Sequence, residues 1–197
     1  MDTVGAIVLA GGQSSRFGSD KALAQFGGRC LVEHVVRALP VERAETLLVQ
    51  RESQARPSSE FDRVIFDDPD LPDGPLRGII SGLEASNAEW SWVVACDLPG
   101  ISPVLLELLV QRRTEESLAV IPEWQERLQP LCALYSRSAA AVLRAAIANG
   151  ERSAQGALAD PRFLRLTTDQ VRQVDPSGRS FININTPDAL ERFRSAS

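Results

Sequence analysis

Apolar residues form two patterns along this chain, short unbroken runs and longer stretches with a helical period, and the two alternate. Ala6-Ile7-Val8-Leu9 is the first unbroken run and reads as a buried strand. Over residues 30–39, Leu31, Val32, Val35, Val36 and Leu39 share one helical face, and Pro40 ends the helix. Residues 46–49 predict a second strand, the polar stretch 51–60 a loop, and Val64-Ile65-Phe66 a short third strand. A turn rich in Asp, Pro and Gly leads into a helix over 76–85. Residues 90–96 make the strongest strand, and 103–112 a helix with Ser102 as its cap and Pro103 in its first turn. A strand over 118–121, a polar excursion over 123–129, an apolar return over 130–135 and an alanine-rich helix over 137–149 closed by Gly150 follow. An extended piece over 181–185 and a helix over 187–193 end the pattern. This alternation predicts an α/β protein with a mostly parallel sheet. No repeat, low-complexity tract or linker divides residues 1–197, so a single domain is expected.

Composition narrows the setting. At 197 residues the chain is long enough to bury a full core, and 44% hydrophobic with 24% charged residues is ordinary for a globular protein. No apolar run approaches a membrane span, and Met1 leads into the first strand without a basic and apolar leader; a cytoplasmic location with no membrane partner is expected. Cys30, Cys96 and Cys132 neither pair completely nor sit at zinc spacing, and small buried thiols are expected. The only histidine, His34, falls in the first helix as a partly exposed residue with no assigned role. A net charge of −5 argues against a nucleic-acid partner. Residues 61–130 carry 13 acidic and 5 basic residues, whereas 131–197 carry 6 acidic and 9 basic. An acidic middle suits a metal ion, and a basic final third tolerates a second, anionic substrate.

The chemistry concentrates after the first strand, in Leu9-Ala10-Gly11-Gly12-Gln13-Ser14-Ser15-Arg16-Phe17-Gly18-Ser19-Asp20-Lys21. Adjacent glycines let a backbone approach a ligand closely and aim successive N–H groups at it. Arg16 and Lys21 add two cations, so a polyanion such as a nucleoside triphosphate satisfies the whole loop. It is neither a Walker A loop nor a G-x-G-x-x-G fingerprint. Lys21 is the only lysine among 21 basic residues, which suggests that a guanidinium does not serve there. Asp97 ends the strongest strand, where open α/β sheets bind ligands, and is the expected ligand of a hard dication such as Mg²⁺. It lies too far upstream to cap the helix at Pro103. Gly78 and Gly82 each cost about 1 kcal/mol relative to alanine within a helix, unless something sits close against them. Asn183 and Asn185 alternate along the last extended piece, where they are expected to face opposite sides, so that one reaches a given ligand.

The stretch L-A-G-G-x-x-S-R-F-G-x-D-K resembles the signature of the molybdenum cofactor guanylyltransferases. Gly74-Pro75-Leu76-Arg77-Gly78, Cys96-Asp97-Leu98-Pro99, the P-L-x-A-L-Y run from Pro130 and Asn183-x-Asn185-Thr186-Pro187 resemble further motifs of that family, in its order. The resemblance implies a Rossmann-like three-layer α/β/α nucleotidyltransferase fold, with residues 1–100 as the nucleotide-binding half and 101–197 as the acceptor half. It implies transfer of GMP from GTP to the phosphate of molybdenum-molybdopterin. Arg16, Lys21 and Asp97 would be catalytic, with Asp97 holding Mg²⁺. Leu9, Ala10, Gly11, Gly12, Lys21, Gln50, Asp67, Gly78 and Asp97 would bind nucleotide, and Asn183 and Asn185 the acceptor. Gln50 stands where the family often has an asparagine near the base, and Asp67 matches its nucleotide-contacting aspartate better than Asp68. Gly150-Glu151-Arg152 departs from the family in lacking further basic residues after it. Molybdoenzyme apoproteins and their chaperones are further candidate partners. Cytidylyl or other nucleotidyl transfer, to molybdopterin or to another phosphorylated acceptor, and non-catalytic nucleotide binding or cofactor delivery are the alternatives.

Overall fold

A computed structural model describes residues 3–10, 23, 25–26, 28–54, 61–151, 153–186, 189 and 193. The first run forms β1 (Gly5–Leu9), buried along its whole length. A two-stranded ribbon, β2 (Gln25–Phe26) with β3 (Arg29–Cys30), turns at Gly28 with φ of 80° and is invisible to the hydrophobic pattern. Helix α1 (Leu31–Ala38) buries Leu31, Val32, Val35 and Val36, and Leu39 beyond its end is buried too. Strands β4 (Thr46–Gln50) and β5 (Arg63–Phe66) precede α2 (Pro75–Ala85), and β6 (Trp90–Ala95) precedes α3 (Pro103–Arg112). Ser102 caps α3 by accepting from the Leu105 N–H, as expected.

The remainder of the chain holds β7 (Ala119–Trp124), β8 (Arg127–Leu128), β9 (Cys132–Ser136), α4 (Ala139–Ala148), α5 (Ala154–Ala157), β10 (Phe163–Leu166) and α6 (Thr168–Arg172). The polar excursion is a hairpin between β7 and β8, with positive φ at both Gln125 and Glu126. Residues 181–185 are not a strand. A 3-10 turn (Arg179–Phe181) leads into an irregular extended segment, because its hydrogen bonds go to the loop after β6 and not to a strand. Most of the expected helix over 187–193 lies outside the described residues, although the Ala189 N–H donates to Thr186 Oγ1 in the manner of an N-cap.

The main sheet runs β10-β7-β9-β6-β1-β4-β5. Of these, β9 alone runs against its neighbours. One face packs on α1, α3 and α6 through Val8, Leu48, Trp92 and Val94; the other packs on α2, α4 and α5 through Ile7, Leu47, Val49 and Val93. Period-two alternation thus feeds two cores and gives three layers. The chain moves outward from β1 through β4 to β5, then returns to the other side of β1 as β6. The switch point of the sheet therefore lies at the carboxyl ends of β1 and β6, where open α/β sheets form their ligand crevice.

Candidate active site

The crevice is built from strand ends. The Cys96 N–H donates to the Leu9 carbonyl (3.0 Å) and the Ala10 N–H to the Val49 carbonyl (2.8 Å), fixing the start of the glycine loop between β6 and β4. Gln54 Nε2 donates to the Ala10 carbonyl (3.0 Å), while Gln54 Oε1 accepts from the Arg51 N–H (2.9 Å). Gln50 is buried, and its Nε2 donates to the Gln54 carbonyl (3.1 Å), so its amide braces this turn. Gly11, Gly12, Arg16 and Lys21 lie outside the described residues.

Beside this, the Asp67 N–H donates to the Gln50 carbonyl (3.1 Å). The neighbouring aspartates have separate uses. The Asp68 carboxylate accepts from the Asp70 N–H (3.0 Å) and pairs with Arg144 (3.1 Å), two contacts that hold it below the usual carboxylate range. Among the described residues no hydrogen bond or ion pair engages the Asp67 carboxylate. Arg77 folds back on the loop before α2, donating through Nε and Nη2 to the Leu71 carbonyl and pairing with Asp73 (3.0 Å).

Helix α2 opens at Gly74, whose φ is 145°, with Pro75 in the first turn. The two helical glycines serve different contacts. A Cβ at Gly82 would lie 2.5 Å from Ile7 Cγ2 and 3.1 Å from Val49 Cγ2, so this glycine is required by helix–sheet packing. A Cβ at Gly78 would meet Leu9 Cδ2 at 3.3 Å, a milder crowding at the rim itself.

Asp97 lies one residue beyond Cys96, in the turn that follows β6, and is half-buried; its carbonyl accepts from the Ile184 N–H (2.9 Å). Asn183 and Asn185 are exposed, with Ile184 fully buried between them. Residues two apart on an extended segment share a side. Ile182 is exposed as well, so this irregular segment does not keep that alternation, and both asparagines reach solvent. None of the three cysteines is in a disulfide, all are buried, and burial pushes the Cys132 thiol upward, as for packing residues. His34 is half-buried in α1. The bracing residues Gln54, Arg77 and Arg144 carry no sequence signal, because each acts through a contact that only the fold creates. Among the described residues no group of three or more His, Cys, Asp or Glu is arranged for a metal ion, and no helix is long and apolar enough to cross a membrane.

A three-layer open sheet of this strand order, with the end of β1 and Asp97 at its switch point, is the architecture of the nucleotidyltransferases. The 2-C-methyl-D-erythritol 4-phosphate cytidylyltransferase of Thermus thermophilus shares the fold, with a TM-score of 0.68, 18% identity and coverage of 100% of this chain and 98% of that one. The molybdopterin-guanine dinucleotide biosynthesis protein A of Archaeoglobus fulgidus gives a TM-score of 0.80 at 29% identity over 98% of both chains. Residues 6–174 match the model of the MobA-like NTP transferase domain, and the chain belongs to that family. A probable molybdenum cofactor guanylyltransferase of Chloroflexus aggregans is 36% identical over 190 residues, covering 94% of this chain and 90% of the relative. One of Bacillus cereus is 32% identical over 186 residues, covering 92% and 91%.

Proposed function

We propose that this chain transfers GMP from GTP to the phosphate of molybdenum-molybdopterin, giving molybdopterin guanine dinucleotide and pyrophosphate. The observation that carries this reading is the Leu9–Cys96 hydrogen bond at the switch point, which starts the glycine loop beside Asp97. A phosphate oxygen of the acceptor attacks the α-phosphorus of GTP. The new P–O bond forms as the bond to the bridging oxygen breaks, and that electron pair leaves with pyrophosphate. The nucleophile is already anionic, so no side chain has to take a proton. The protein has to align two anions and offset the developing charge.

The amides of Gly11 and Gly12, with Arg16 and Lys21, would surround the triphosphate. Leu9, Ala10, Gln50, Asp67 and Gly78 would hold the nucleoside, and Asn183 and Asn185 the acceptor. Asp97 would hold Mg²⁺, an ion that takes one or two carboxylates and completes its shell with water and substrate phosphates. A single half-buried carboxylate at the rim fits that donor set. When bound, the ion neutralises triphosphate charge and orients the leaving group. Three buried cysteines outside any disulfide support a reducing cytoplasm as the setting, from which the product would pass to molybdoenzyme apoproteins and their chaperones.

The test is pyrophosphate release by purified protein with Mg²⁺ and molybdopterin, offered GTP, CTP or ATP in turn. GTP is expected to be used preferentially. Turnover with CTP alone would reassign the base, and nucleotide binding without pyrophosphate release would make the chain a carrier. Asp97→Ala should lower turnover by about 10²–10³-fold or more while leaving the circular dichroism unchanged. A near-normal rate with Mg²⁺ would remove Asp97 from the metal site.

A further inference from the structure

We propose that Asp175 is a positioning residue that fixes the acceptor-binding asparagines against the Asp97 loop; this rests on the reading of Asn183 and Asn185 given above. Asp175 lies just past α6 and is only 6% exposed. Its Oδ1 accepts from the Arg179 N–H (3.0 Å) and the Ser177 hydroxyl (3.4 Å), and its Oδ2 from the Ser180 N–H (2.9 Å). A buried carboxylate is costly unless its oxygens are hydrogen-bonded, and here both are used on one turn. That turn passes through Gly178, whose φ is 66° and whose Cβ, were there one, would fall 2.2 Å from the Trp124 indole. The turn is therefore held between Asp175 below and the β7–β8 hairpin beside it.

What the turn carries is a lap joint with the loop after β6. Ser180 is fully buried, and its Oγ accepts from the Ser102 N–H (3.0 Å). Four residues on, the Ile184 N–H reaches the Asp97 carbonyl (2.9 Å). Between these points a Cβ on Gly100 would meet the Arg179 carbonyl at 2.8 Å and Phe193 Cζ at 2.9 Å. Residues 180 and 184 thus pair with 102 and 97 in opposite chain directions, in close backbone contact. The amides of Asn183 and Asn185 and the carboxylate of Asp97 are borne on one unit, and Asp175 sets its register. Transfer between two bound anions is sensitive to such placement, since a misplacement of about 1 Å costs about 10²-fold. Asparagine at 175 would set an amide donor against a main-chain donor, loosening the turn without touching the nucleotide loop.

The experiment measures kcat and KM for molybdopterin and the dissociation constant of GTP with Mg²⁺ and no acceptor, in Asp175→Asn, Ser180→Ala, Asn183→Ala and Asn185→Ala. Asp175→Asn and Ser180→Ala should lower kcat/KM for molybdopterin by about 10–100-fold, with GTP binding within about twofold of the parent. Ser180→Ala removes only the acceptor of the Ser102 N–H and serves if Asp175→Asn does not fold. Unchanged acceptor kinetics in both variants, or a parallel loss of GTP binding, overturns the positioning role. If the asparagine variants weaken acceptor use and these two do not, that role alone falls. If the asparagine variants have no effect, the acceptor reading falls and this proposal with it.

Discussion

Lys21 and the Asp67–Asp68 pair show how much a single residue reveals. A chain that uses arginine at 20 of its 21 basic positions and lysine once, inside a glycine loop, points to a site for a compact ammonium between phosphate oxygens. Lys21→Arg keeps the charge and should still lower kcat on the order of 10²-fold, because a planar guanidinium fork replaces a compact point charge. A steady-state rate equal to the parent's would defeat the argument. Adjacent aspartates before a proline are a harder case. Their sequence context is nearly the same, and what separates them is Arg144, 76 residues away, which engages Asp68. No local reading reaches that far. Gln50 is similar: its amide was legible as a polar group at a strand end, but its burial against the Gln54 carbonyl was not.

At the scale of elements, long periodic stretches were readable and short non-local ones were not. Helices α1, α2 and α3 begin and end within a residue or two of the apolar pattern, because capping serine, first-turn prolines and terminal Pro40 are local devices. The antiparallel course of β9 was hidden, since Cys132-Ala133-Leu134-Tyr135-Ser136 looks the same whichever way its neighbours run. The β7–β8 hairpin was hidden because Gln125-Glu126 is not a turn dipeptide, although both residues adopt positive φ, at 50° and 62°. Left-handed backbone costs an L-residue about 1–2 kcal/mol, which glycine and asparagine largely escape. Replacing the pair, Gln125→Asn with Glu126→Gly, should therefore stabilise the protein by about 1 kcal/mol and raise Tm by about 2–4 °C, measured by thermal denaturation. A lower Tm would mean that the two side chains hold the hairpin through contacts outweighing the backbone strain.

For the whole molecule, strand ends were legible and strand order was not. Leu9 and Asp97 could each be placed at the end of a buried run, but their adjacency follows from β6 returning beside β1, a choice that no local pattern records. The opposite, amino-terminal edge of the sheet is held by a carboxylate that the sequence did not single out. Glu45 accepts from Arg63 (2.7 Å), the Ser86 hydroxyl (2.9 Å) and the Asn87 N–H (2.6 Å), joining the entries to β4, β5 and β6. Burial works against its charge, but the Arg63, Asn87 and Ser86 hydrogen bonds outweigh it and lower its pKa from the ordinary 4.5. A carboxyl group with a depressed folded pKa stabilises the native state above its unfolded value and loses that contribution as pH falls through the folded one. Stability should hold on the neutral side and decline below about pH 4.5. Asp160, drawn down to about 2 by the Arg162 guanidinium, has the same sign, but as an exposed, solvent-screened pair it adds little. Urea denaturation across pH 3–7 separates the two, taking about pH 4.5 as the onset of the acid limb. Glu45→Gln should lower stability at neutral pH and flatten the acid limb, because the group that titrates there is gone, whereas Asp160→Asn should leave both nearly unchanged. An acid limb of full slope in Glu45→Gln would move the source of acid sensitivity away from this edge of the sheet.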